Sequence, residues 1–143
     1  MKKIFLLTFA ALFSFAVCAN AQDGIKWETG TLNEVLNKAK SNNSTPNIVF
    51  LDCYTSWCGP CKYMAESVFT TKEAGDYFNS RFVNFKMDME KGEGKEVAKK
   101  YNVRAYPTFL ILDSDGNEIG RVIGGGKLED FVKKVEKAAK FAK

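Results

Sequence analysis

The sequence predicts an α/β protein built as a three-layer α/β/α sandwich around a central mixed sheet. Three observations carry that expectation. Short apolar runs of strand character alternate with stretches whose apolar residues recur at helical spacing. Such alternation implies a sheet covered by helices on both faces. Near the C-terminus, Asp115-Gly116 joins two strand-like runs as a hairpin turn, which adds an antiparallel pair to the sheet.

Taken in order, a short strand is expected near Ile25 to Trp27. Leu32, Val35, Leu36 and Ala39 form one face of a first helix, with Thr31 placed to cap it. Ser41 to Pro46 reads as a polar turn. Ile48-Val49-Phe50-Leu51 is continuously apolar, as in a strand buried on both faces, and this strand ends near Tyr54. A helix starts around Gly59-Pro60, where proline suits the first turn because its missing N–H would be unpaired there. Met64 and Val68 continue it, and a second helical piece covers Lys72 to Asn79. Phe82 to Met87 alternates like a strand, and Glu93 to Tyr101 is helical. Pro107 to Leu112 and Glu118 to Ile123 are the hairpin strands, and Lys127 to Phe141 closes the chain as an amphipathic helix.

The chain has 143 residues, 45% hydrophobic and 27% charged, which fits one domain able to build a core without disulfides. Residues 1–21 read as an export signal: Lys2 and Lys3, an apolar run from Ile4 to Val17, then Ala19-Asn20-Ala21 as the cleavage motif. The remaining domain is 22–143. The apolar run is shorter than the roughly 18–20 residues that span a bilayer, which argues against a retained anchor. Cys18 offers lipid attachment as a second route, but Val17 is larger than the residue normally found before a lipidated cysteine. Export implies a periplasmic or secreted location. Cleavage would remove two lysines and no acid, lowering the net charge from +4 to +2. Nothing in that balance favours nucleic acid. Lys133, Lys134, Lys137, Lys140 and Lys143 alternate with Val132, Val135 and Phe141, as on a solvated helix face.

Chemistry is concentrated in Tyr54 to Met64, "YTSWCGPCKYM". Cys58 follows a buried strand and opens a helix, where unpaired N–H groups and the helix dipole stabilise a thiolate. It is the expected attacking sulfur. Cys61 lies one turn further in, is expected to be more buried, and can close a small disulfide and resolve a mixed one. A zinc site would need more ligands, yet the chain has no histidine and no second CxxC pair. An inert staple stays open, although so short a loop gives little entropic stabilisation. Redox chemistry is favoured, with no cofactor and no metal.

"DCYTSWCGPCK" and "RAYPTFLILDSDG" together resemble the thioredoxin family, from about Asn47 to the C-terminus. "SVFTTKEAGDYFN", "KMDME" and "KKYNVRAYPTFLILDSDGNE" are similar to the C-terminal domain of transmembrane thiol:disulfide interchange proteins and to exported single-domain relatives. The resemblance implies a thioredoxin-like sandwich and an exported thiol–disulfide oxidoreductase, expected as a monomer. The Gly59-Pro60 centre points to a reductase of protein disulfides that is re-reduced by a membrane electron donor. It makes Cys58–Cys61 the redox disulfide and Pro107 a cis-proline of the substrate groove. Tyr106, bulkier than the family's usual residue, would present backbone to an extended substrate or simply pack. Gly124 would lie where backbone approaches that groove, with Gly59 and Pro60 on the same surface. Asp52 matches the family's buried acid and is the candidate proton acceptor for Cys61; its plainer role is a strand-end hydrogen bond. Lys86 matches the lysine near that acid, or is a solvated strand residue. Trp57 is expected to cover the disulfide and contact partners. Cys53, adjacent to Asp52, should face the other way as a small buried hydrophobe, the alternative being a third redox thiol. The competing class is a thioredoxin-fold chaperone or assembly factor whose disulfide is only structural.

Overall fold

The computed structural model of the chain describes residues 23–41 and 47–140. The export signal, Cys18, the expected turn beyond Ser41, and Phe141 and Lys143 lie outside the described residues. Five strands form one mixed sheet in the order β1-β3-β2-β4-β5: β1 (Trp27–Glu28), β2 (Ile48–Tyr54), β3 (Val83–Asp88), β4 (Thr108–Asp113) and β5 (Glu118–Ile123). β1, β3 and β2 run parallel, while β2–β4 and β4–β5 are antiparallel. The helices are α1 (Leu32–Ser41), α2 (Gly59–Tyr63), α3 (Lys72–Arg81), α4 (Gly94–Lys100) and α5 (Leu128–Ala139), and a π-helical turn, Met64–Val68, extends α2. This is the thioredoxin-like sandwich that the sequence implied.

Side-chain alternation along β2 splits the core in two. Val49, Leu51 and Cys53 pack with Leu32, Val35 and Leu36 of α1 and Val97 of α4. Phe50 points the other way, into a cluster with Met64, Val68, Phe78 of α3 and Phe131 of α5. Phe50 is the hub of that second layer: its ring lies 4.7 Å from Phe78, 5.5 Å from Phe109, 5.6 Å from Phe82 and 6.3 Å from Phe131. Aromatic contacts at these separations add to the area they bury.

Local chemistry sets the ends of the elements. The Thr31 hydroxyl accepts from the Glu34 N–H, and the Glu34 carboxylate accepts from the Thr31 N–H. This is a capping box at the start of α1. Thr71 caps α3 by accepting from the Ala74 N–H. At the expected first strand the structure differs: β1 begins at Trp27, not Ile25. The Ile25 N–H is taken by the Phe69 carbonyl, and Asn79 binds both the Gly24 carbonyl and the Lys26 N–H, so these residues are tied to the α3 side before the ladder begins. Gly75 is required there, because a Cβ would stand 2.5 Å from the Gly24 carbonyl oxygen.

Phe50→Ala should lower stability by about 3–5 kcal/mol, the usual cost of removing a fully buried Phe. The check is a urea titration, in which the midpoint falls while the slope stays unchanged.

Candidate functional site

β2 ends at Tyr54, and Thr55 to Trp57 turn the chain into α2. Cys58 is the N-cap of α2 with extended backbone, and its N–H donates to the Thr55 carbonyl at 3.3 Å. Cys58 and Cys61 are joined by a disulfide, with their Cα atoms 5.3 Å apart. The Cys61 N–H donates to the Cys58 Sγ at 3.2 Å. An N–H aimed at this sulfur favours its anionic form once the disulfide is open. The expected difference in burial between the two cysteines is not found: Cys58 is 3% exposed and Cys61 4%. In the closed disulfide, the S–S bond and the Cys61 N–H draw the Cys58 sulfur onto the first turn of the helix, which equalises them.

Beside the disulfide is a cleft of about 200 Å³ whose walls include Asp52, Thr55, Cys61, Ala65 and Lys86. Asp52 projects to this side of β2 and is buried. Burial pushes its carboxyl up to about 7, opposed by the charge of Lys86. Lys86 is in register with Asp52 on β3, and its ammonium also stands 5.8 Å over the Trp27 ring. Lys86 is thus both near the acid and exposed. Cys53, one residue on, is fully buried in the opposite layer. Its thiol is free, and burial, followed by the Asp52 charge, holds its pKa far above the ordinary thiol value.

The rim is assembled from distant parts of the chain. The Tyr106–Pro107 peptide bond is cis, and the Pro107 carbonyl accepts from the Gly124 N–H at 2.9 Å. Gly124 has φ +80°, which favours glycine. Trp57 is 65% exposed; its ring meets Tyr106 edge-on at 6.0 Å, and its Nε1–H donates to Glu90 at 2.9 Å. The indole is therefore held to Glu90 and Tyr106 on the rim. Tyr106 is half-buried and also packs against the α1/α4 core layer. Gly59 and Pro60 are exposed at the start of α2. Among the described residues no group of three His, Cys, Asp or Glu side chains is assembled to hold a metal.

Sequence reasoning missed Glu90, which lies 33 residues from its partner Trp57 and carries no local signal. It also missed the contact in which the Gly126 N–H donates to the Met64 thioether at 3.4 Å, joining the π-helical turn to the glycine loop. Sequence reasoning also missed Thr55, a buried residue in the turn just after β2 that shares the cleft with Asp52.

A cis-proline leading into β4 and a Cys-Gly-Pro-Cys disulfide at the start of α2, on a five-stranded mixed sheet of this order, define the thioredoxin class of domain. The chain belongs to the thioredoxin-like domain family, whose model matches residues 32–139. It is similar to an H-type thioredoxin of Oryza sativa subsp. indica, 42% identical over 82 residues, 56% of this chain and 60% of that one. It is also similar to thioredoxin AMT13 of Alternaria alternata, 32% identical over 107 residues, 73% and 80% of the two chains. The chain thus spans about three-fifths of the rice relative's length. Among solved structures, a Bacteroides thetaiotaomicron protein proposed as a disulphide-isomerase is 45% identical with TM-score 0.70, covering 80% of this chain and 92% of its own. Thioredoxin F from spinach chloroplast is 32% identical with TM-score 0.59, covering 84% and 97%.

The raised acid has a consequence for stability. A carboxyl whose folded pKa lies above its unfolded value binds its proton more tightly in the native state, so stability falls as pH rises from about 4 to about 7. Asp52→Asn should abolish that fall and stabilise the protein at pH 8 by up to about 4 kcal/mol, the equivalent of the pKa shift. Urea midpoints at pH 4 and pH 8 check this. A wild-type midpoint that rises between those pH values, with no effect of the substitution, would show Asp52 to be ordinary.

Proposed function

We propose that the chain is an exported thiol–disulfide oxidoreductase that reduces disulfides in protein substrates. The observation that carries the reading is the Cys58–Cys61 disulfide at the start of α2, beside a cleft holding a buried acid. Cys58 is the attacking sulfur: as a thiolate it joins one sulfur of the substrate disulfide and displaces the other as a thiolate. Cys61 then gives its proton to the Asp52 carboxylate. Its thiolate attacks the Cys58 sulfur, closing the intramolecular disulfide and releasing the second substrate sulfur as a thiolate that is protonated from solvent. Two electrons pass from the dithiol to the substrate.

A base titrating near neutrality suits this transfer, because it is partly ionised at working pH and still holds a proton well. Lys86 keeps that pKa from rising further. Trp57, Tyr106 and cis-Pro107, with Gly59, Pro60 and Gly124, form the surface that receives an extended substrate. Backbone groups beside Pro107 pair with it as an added strand would. Direction is argued from the Gly-Pro centre, which resembles that of reducing thioredoxins. The export signal in residues 1–21, cleaved or lipidated at Cys18, would place the domain in the periplasm or outside the cell. There a membrane electron donor returns it to the dithiol. It works as a monomer, because each step needs one chain.

Cys58→Ser should abolish thiol-dependent reduction of insulin disulfides, measured by precipitation of the freed chain. Cys61→Ser should instead accumulate mixed disulfides through Cys58, identified by mass after acid quenching. An assembly factor with a structural disulfide would show no reduction for these substitutions to remove.

A further inference from the structure

The redox helix and the glycine loop after β5 meet at one side chain. Met64, the first residue of the π-helical turn, is fully buried, and its thioether accepts the Gly126 N–H at 3.4 Å. Gly125 lies against the same side chain: a Cβ there would stand 2.6 Å from the Met64 Sδ and 2.7 Å from its Cγ. Loop backbone therefore rests directly on the methionine, whose length and sulfur set the distance between loop and helix. At the near end of the loop, the Gly124 N–H donates to the Pro107 carbonyl. No atom stands within 4 Å of where Gly124 and Gly126 would carry a Cβ, so the outer side of the loop is open. Ile123, the residue before it, is an exposed apolar side chain.

We propose that Met64 is a positioning residue for polypeptide substrates: by seating Gly125 and Gly126 on the redox helix, it sets where the Gly124 wall of the groove stands relative to Cys58 and Cys61. The inference rests on the reductase reading and adds to it a residue that separates polypeptide disulfides from small ones. An extended polypeptide pairing with backbone beside Pro107 lies between both walls, so displacing one wall is felt along the whole contact. A small disulfide needs only to reach the Cys58 sulfur. Met64 acts through the loop, and the exchange chemistry of the two cysteines is the same for both kinds of substrate.

A thioether is a weak acceptor, but the Gly126 N–H is part-buried, and a buried N–H left without a partner is costly. Leucine is close to methionine in volume and accepts no hydrogen bond, so Met64→Leu removes the acceptor while keeping the core filled. Gly125→Ala reaches the same contact from the other side, because the added methyl must lift the loop off the methionine. Two substitutions that loosen one contact overlap in effect, whereas independent ones add.

The experiment offers each pre-reduced protein two disulfides, insulin and 5,5′-dithiobis(2-nitrobenzoate), a small aromatic disulfide whose released thiolate is read by absorbance. Met64→Leu should slow insulin reduction about fivefold, the effect of losing one hydrogen bond of ordinary net strength, and leave the small disulfide's rate unchanged. Gly125→Ala should do the same, and the double variant should be no slower than the slower single one. In the oxidised protein, amide exchange followed by NMR should quicken at Gly126 in Met64→Leu while the β4 amides stay protected. Equal slowing with both disulfides would overturn the proposal by showing general damage, as would additive losses in the double variant. An unchanged insulin rate or unchanged Gly126 exchange in Met64→Leu would overturn it as well. Failure of the reductase reading looks different: the wild-type protein would then not reduce insulin at all, while Gly126 exchange still reports whether Met64 holds the loop.

Discussion

Strand β2 is the centre of the sheet, paired to β3 on one side and β4 on the other, and its two faces are buried in separate core layers. Successive side chains on a strand point to opposite faces, so a slip of one residue would exchange every one of them. Asp52 and Cys53 are neighbours on this strand, and the register fixes their fates. Asp52 is in register with Lys86 and lines the cleft by the disulfide. Cys53 goes to the far layer as a protected thiol. Phe50 locks the arrangement, because its ring must stay among the aromatics of the α3/α5 layer.

From that fixed strand end the site follows with few further devices. The chain needs only Thr55 to Trp57 to pass from β2 into α2, which places Cys58 at the helix start and Cys61 within reach of it. The opposing wall comes from the β4 entry and the loop after β5, joined by the Gly124 N–H on the Pro107 carbonyl. Met64 links the two walls. Its thioether accepts the Gly126 N–H, and a Cβ at Gly125 would stand 2.6 Å from that sulfur, so the glycine loop lies tightly on the redox helix. Trp57 and Tyr106 then form an aromatic pair across the rim, where an exposed apolar body with a tethered polar tip suits contact with a polypeptide.

The fold was legible because its signals are local. The apolar run of β2, the helical spacing of Leu32 to Ala39 and the Asp115-Gly116 turn each specify an element from a few adjacent residues. The cysteine pair was legible for the same reason, since strand, turn and helix start follow within a dozen residues. What was not legible depends on tertiary contact. The π-helical turn at Met64–Val68 has the same apolar pattern as an α-helix. β1 starts late because Ile25 is bound by Phe69, a partner 44 residues away. Cys58 and Cys61 are equally buried with the disulfide closed, a matter of how the helix start packs rather than of local sequence. The pairing of Trp57 with Glu90, and the sharing of one cleft by Thr55 and Asp52, are products of the assembled sheet and helix together.

The division of labour among the three thiols is the centre of this account, and alkylation of the reduced native protein tests it most directly. Limiting iodoacetamide is applied from pH 5 to pH 9, and the labelled cysteine is mapped by mass. The predicted result is label on Cys58 first, with a midpoint below the ordinary thiol value of about 8.5. Cys61 should follow, and Cys53 should react only after denaturation. Label on Cys53 in the native protein, or on Cys61 ahead of Cys58, would contradict the account.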